Sequence, residues 1–185
     1  MSWRPSWPPA PAARRSPTDV ELVAPDPAGW AARFATEAAR IRGILGPGTP
    51  VEHVGSTALG IEAKDVVDVL VGVPAAANPQ AVAVLTEAGL VEGGNRTTAE
   101  GEPHGWLARW VDGTRVTVVH VVLADGAEWH RRTTFRDALL RDGALAREYV
   151  TLKRGIAAQT DDWGEYTARK SSFVARVVGT VGPRR

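Results

Sequence analysis

The 185-residue chain has no cysteine, which excludes disulfides and thiolate metal sites from the outset. It has no apolar run of membrane-spanning length. Its N-terminus carries Arg4, Arg14 and Arg15 without an apolar core segment, so it does not read as a secretory signal. A cytoplasmic location follows by default. Charge of either sign is nearly absent in sum: the formal net charge is +1, which argues against a global drive toward nucleic acid or a membrane surface. No G-x-x-x-x-G-K-[ST] phosphate loop occurs. Lysine is scarce, with Lys64, Lys153 and Lys170 the only three. No internal repeat is visible.

What is present has the composition of a soluble globular protein, long enough to bury one core. Residues 1–18 form a proline-rich stretch expected to be a disordered tail, with Trp3 and Trp7 either a short docking motif or stray aromatics. One domain is expected over 19–180, with a sheet-bearing part to 125 and a helical part from 126. Val20 to Val23 reads as a short strand. Asp26 with Pro27 reads as a capped helix start, followed by Trp30, Phe34, Ala38, Ile41 and Leu45 at helical spacing. Val51–Val54 and Val66–Val73 read as buried strands, and Asn78-Pro79 as the cap of a second helix. Gly93-Gly94-Asn95 reads as a turn, with 95–103 a mobile loop. A hairpin is expected from His104–Val111 through Asp112-Gly113 to Arg115–Leu123. Three helices follow, over about 127–140, 144–159 and 162–178. The order implies an α+β fold, a small mixed sheet flanked by helices with a helical tail.

The chemistry concentrates in Glu52-His53-Val54-Gly55-Ser56-Thr57, then Ala63-Lys64, then the strand carrying Asp68. A Gly-Ser turn offers backbone N–H groups to a phosphate; as a bare feature it is also an ordinary strand-to-helix turn capped by serine. A carboxylate among Val66, Val67, Val69 and Leu70 is costly unless paired, hydrogen-bonded or bound to a cation. His120, in Val118-Val119-His120-Val121-Val122, is either a general base or substrate contact, or a core histidine. Lys64 precedes the second strand and either reaches a phosphate or sits exposed in a loop. Arg109 offers a guanidinium to phosphate, or pairs with Asp68. In the tail, Arg132 and Arg136 lie four apart, as do Tyr149 and Lys153, and Tyr166 and Lys170. The repeated Tyr-x-x-x-Lys pair would place two phenols and two ammonium groups over one sheet face, or else form a solvated amphipathic face.

Taken in order, these segments resemble the GrpB family, assigned to the nucleotidyltransferase superfamily. The likeness covers about residues 20–178 and includes Asp26-Pro27, Trp30 with Phe34, the His120 strand, and Trp129 with Phe135-Arg136-Asp137. The segment Ala63-Lys64-Asp65-Val66-Val67-Asp68 is also similar to a domain fused to some bacterial dephospho-CoA kinases. The resemblance implies a nucleotidyltransferase-like fold. It implies binding of a nucleoside triphosphate with Mg²⁺ on Asp68 and nucleotidyl transfer to an acceptor. His120 would assist, and Gly55, Ser56, Thr57, Lys64, Arg109, Arg136, Tyr149, Lys153 and Lys170 would surround the phosphates. Two departures matter. Ala58-Leu59-Gly60-Ile61 lacks the family's proline after the turn. Val66 stands where active superfamily members carry the first Asp of D-x-D, and Asp65 would face the other side of the strand. The alternative is an inactive accessory module that binds a nucleotide or phosphorylated metabolite and acts through a partner protein.

Overall fold

The computed structural model describes residues 20–181. The expected disordered tail, with Trp3 and Trp7, lies outside them.

Helix α1 (Pro27–Leu45) starts as its sequence dictates: the Asp26 carboxylate accepts from the Gly29 amide at 3.0 Å and Pro27 holds the first helical position. Strands β1 (Val51–Val54) and β2 (Val67–Val73) are valine-rich and pair antiparallel, placing Val54 opposite Asp68. After α2 (Asn78–Glu87) come β3 (Val91–Thr97), β4 (Pro103–Val111) and β5 (Thr114–Leu123). The sheet runs β1-β2-β5-β4-β3, with β2 and β5 parallel and every other pair antiparallel. Four helices finish the fold: α3 (Ala127–Arg141), α4 (Gly143–Ala157), α5 (Trp163–Arg169) and α6 (Ser171–Val181). The α+β expectation stands, a mixed sheet flanked by helices.

Alternation divides β2 and β5 between two faces. Val67, Val69, Val71, Val119 and Val121, with Leu107 of β4, pack under α1 and α2 around Trp30 and Ile41, both fully buried. The opposite face carries Asp68, Val118, His120 and Trp106, covered by the C-terminal helices. Asp65 falls on the α1 side as expected: it accepts from Trp30 Nε1 at 2.8 Å and pairs with Arg33.

Four expectations change. The glycine turn at 93–95 is strand β3, paired to β4 across an irregularity at Glu92/Gly94. A Cβ at residue 93 would overlap the Trp106 ring, so glycine there serves close packing rather than chain reversal. The short strand at 20–23 reduces to one bridge, Val23 with Ala63. Asn78 starts α2 without capping it; its amide donates to the Val121 carbonyl at 2.9 Å, pinning the helix to β5. The third tail helix is two, broken at Lys170, with the Ser171 hydroxyl donating to the Ala168 carbonyl at the break.

Candidate functional site

Gly55 follows directly on the residue that pairs with Asp68. Its φ of +72° lies in the left-handed region, and a Cβ there would collide with Asp68 Oδ2. Both constraints demand glycine. The chain then turns through Ser56 into a short helical turn at Thr57–Leu59. Ser56 and Tyr149 line the same cavity, and burial pushes the Tyr149 phenol up to about 12. The buried Thr57 hydroxyl lies 3.0 Å from His53 Nε2. His53 in turn stacks on Phe34, with ring centroids 4.8 Å apart, so its imidazole has a partner on each side.

Asp68 is 31% exposed at its side chain, and His120 Nε2 stands 3.7 Å from its Oδ1 with the imidazole only 8% exposed. His120 Nδ1 is 3.1 Å from His104 Nε2. Both His120 nitrogens therefore face protein groups, and the histidine supports Asp68 from behind. Burial drives the His120 imidazole down to about 4, with the Arg132 charge acting the same way and Asp68 opposing. Burial also pushes Asp68 upward, but His120, Arg132 and Lys64 outweigh it and hold the carboxyl below its ordinary range.

These groups border a cavity of about 190 Å³. Its cationic lining is Lys64, Lys170, Arg131 and Arg132; Trp106, Phe135, Tyr149, Trp163 and Tyr166 supply aromatic walls. Lys170 sits over the Tyr166 ring, 4.2 Å from its centroid, and burial lowers its ammonium to about 8 although Asp68 opposes. Lys64 lies over the Trp163 ring. Arg115 stacks on the same indole, 3.6 Å from its centroid, as part of the cation–aromatic contacts at this edge. Glu128 holds Arg131 and Arg132 through bonds of 2.6–2.7 Å. Four cations on the cavity wall thus face one lining carboxylate, with Glu128 as a second anion bonded to the two arginines.

The cavity brings together Gly55, Ser56, Thr57, Lys64, Asp68, His120, Tyr149 and Lys170 of the residues expected from sequence. Three others do not join them. Arg109 projects from the opposite sheet face and makes a bidentate pair with the buried Glu37 of α1, at 2.6 and 2.7 Å, so it contacts neither phosphate nor Asp68. Arg136 is held by Glu52 at 2.7 Å, Asp137 at 2.9 Å and the His53 carbonyl at 2.9 Å. Lys153 is buried and donates to the Glu62 carbonyl, behind the loop between β1 and β2. Sequence reasoning missed Arg131, Trp106, Trp163 and His104, and noted Arg132 only for sharing a face with Arg136. The hairpin register carried a usable signal for two of them: Trp106 pairs with His120, and His104 lies on the same face two residues earlier.

The family profile described as "GrpB protein" matches residues 19–179. The chain belongs to the GrpB family. A UPF0157 protein of Deinococcus radiodurans is 52% identical over 167 residues, spanning 89% of this chain and 84% of that protein. The glutamate-rich protein GrpB of Alkalihalophilus pseudofirmus is 30% identical over 159 residues, spanning 80% and 88%. The crystal structure of conserved protein GrpB from Enterococcus faecalis superposes with a TM-score of 0.70 at 27% identity, covering 86% of this chain and 96% of that one. A fainter likeness runs to the Cid1 poly(U) polymerase, with TM-score 0.49 at 15% identity over 75% of this chain and 46% of that one, too distant to bear on chemistry.

The donor set fits a resident Mg²⁺ poorly. Val66 lines the cavity where a second carboxylate would stand, and the described residues contain no group of three His, Asp or Glu able to hold a metal. A lone carboxylate beneath several cations is a weak Mg²⁺ ligand set. No described helix is long and apolar enough to cross a membrane.

Proposed function

We propose that this GrpB-family protein binds a phosphorylated small molecule, or the phosphate end of a nucleotide, in the cavity between the Gly55-Ser56 turn and the C-terminal helices. The observation that carries this reading is the convergence of Lys64, Lys170, Arg131 and Arg132 around Gly55, Ser56 and one carboxylate in a cavity of about 190 Å³. Cations on several separate elements are costly to gather unless an anion offsets their repulsion. Arginine and lysine in a partly dry pocket bind phosphoryl oxygens strongly. The size matters too: sites for drug-sized ligands occupy roughly 300–1,000 Å³. This cavity takes a phosphate group and a small attached moiety, and a nucleoside would extend past it.

Calorimetry on the full chain tests the reading with pyrophosphate, ADP and ATP. Saturable binding with a phosphate-bearing ligand, weakened at least tenfold in Lys170→Gln, is the expected result. Absence of heat with all three ligands, at concentrations reaching the millimolar range, sinks it.

A second reading is nucleotidyl transfer from a nucleoside triphosphate to an alcohol, amine or protein hydroxyl. It is favoured by the packing of Asp68 against the Gly55 turn, which puts a carboxylate beside the proposed phosphate position. Incubation with labelled nucleoside triphosphates, Mg²⁺ and candidate acceptors tests it. Turnover that Asp68→Asn abolishes supports transfer; phosphate binding without turnover favours an accessory binding module.

A further inference from the structure

We infer that this pocket neutralises its ligand's phosphate with protein cations and no divalent metal, and that Asp68 is a resident counter-anion for those cations. The inference rests on the phosphate-pocket reading and specifies how that pocket handles charge. Each carboxylate oxygen of Asp68 lies against a protein group. Oδ2 packs against Gly55, in the space a Cβ would take, and Oδ1 faces His120 Nε2 at 3.7 Å. The carboxylate thus stands at the Gly-Ser turn, where an incoming anion approaches. Arg132 and Lys64 are close enough for their charges to act on Asp68, and Asp68 acts likewise on Lys170.

A divalent ion offered to Asp68 would meet the fields of these cations at the same place. The other nearby carboxylates are spoken for: Glu128 binds Arg131 and Arg132, and Asp65 faces α1, held by Trp30 and Arg33. Val66 contributes methyl groups to the wall where a second metal ligand would be needed. The two accounts of Asp68 predict opposite signs for one substitution. As a metal ligand, Asp68 helps to hold a metal-bound phosphate, so its loss weakens binding. As a counter-anion, it competes with the phosphate for Lys64, Lys170 and Arg132, so its loss strengthens binding.

The test is calorimetry of the full chain with inorganic pyrophosphate, in EDTA and in excess Mg²⁺. It compares the unaltered protein with Asp68→Asn, an isosteric change that removes the charge. The expected result is binding by the unaltered protein in EDTA, no tighter with Mg²⁺, and at least fivefold tighter in Asp68→Asn. Binding that requires Mg²⁺ and disappears in Asp68→Asn overturns the inference while leaving the phosphate pocket intact. Unchanged affinity in Asp68→Asn also overturns it. No binding by the unaltered protein in either condition ends both readings. If Asp68→Asn does not fold, the EDTA and Mg²⁺ arms on the unaltered protein still decide between protein cations and metal.

Discussion

Gly55 is the residue on which the site turns. Its positive φ and its contact with the Asp68 carboxylate are independent demands, and any side chain violates both. Gly55→Ala is expected to cost about 1–3 kcal/mol of stability, read by urea unfolding, and to displace Asp68 from the turn, read as altered pyrophosphate affinity. Lys170 carries a different prediction. Burial lowers its ammonium to about 8, so it is charged at neutral pH and loses its proton as pH rises through that value. Sulfate, whose charge is constant here, should therefore bind well at pH 7 and several-fold more weakly by pH 9. Lys170→Arg should flatten that profile, because a guanidinium keeps its proton.

At the scale of elements, α1 and the sheet are joined by an ion pair whose arginine, Arg109, the sequence reading offered to a phosphate or to Asp68. Arg109 and Glu37 are bidentate, with Glu37 nearly inaccessible to solvent. Removing one partner of such a pair leaves the other charge poorly satisfied. Glu37→Gln is expected to destabilise the protein by about 3 kcal/mol in urea melts. Because the pair lies across the sheet from the cavity, the folded fraction should keep its pyrophosphate affinity. Arg109 misled because alternation assigns it a side of β4 but does not say which side meets the helical tail. The three-helix reading of that tail failed for a related reason. The segment 162–178 keeps helical spacing throughout, while the break at Lys170 carries a local bond from Ser171 to the Ala168 carbonyl and α6 packs against α3.

For the whole molecule, the buried histidines set the acid response. His120 has its imidazole driven to about 4 by burial and the Arg132 charge, and burial lowers His104 as well. Unfolded, both return to the ordinary range near 6.5, where the open chain binds more protons than the folded one. Their contribution is thus fully present above that range and is lost as pH falls from about 6.5 toward 4. Urea midpoints should drop across that window. His120→Asn should show a shallower drop than the unaltered protein.

Residue types and spacing alone determined a good deal. The valine runs specify strands because alternating branched side chains fill two faces of a pleated sheet. Asp26-Pro27 and Asp112-Gly113 specify a helix start and a hairpin because their backbone preferences are local. The Gly-Ser turn and Asp68 were legible as a pair, since both follow from short segments separated by one loop. The tertiary structure decided what local chemistry cannot express. It chose which side chains share the cavity, drawing in Arg131, Arg132 and Trp163 while turning away Arg109, Arg136 and Lys153. It also made a strand of Gly93-Gly94-Asn95, paired to β4 with the Trp106 ring in the space a side chain at residue 93 would fill. Long-range packing selects among partners that look equivalent along the chain, and charge placement follows that selection.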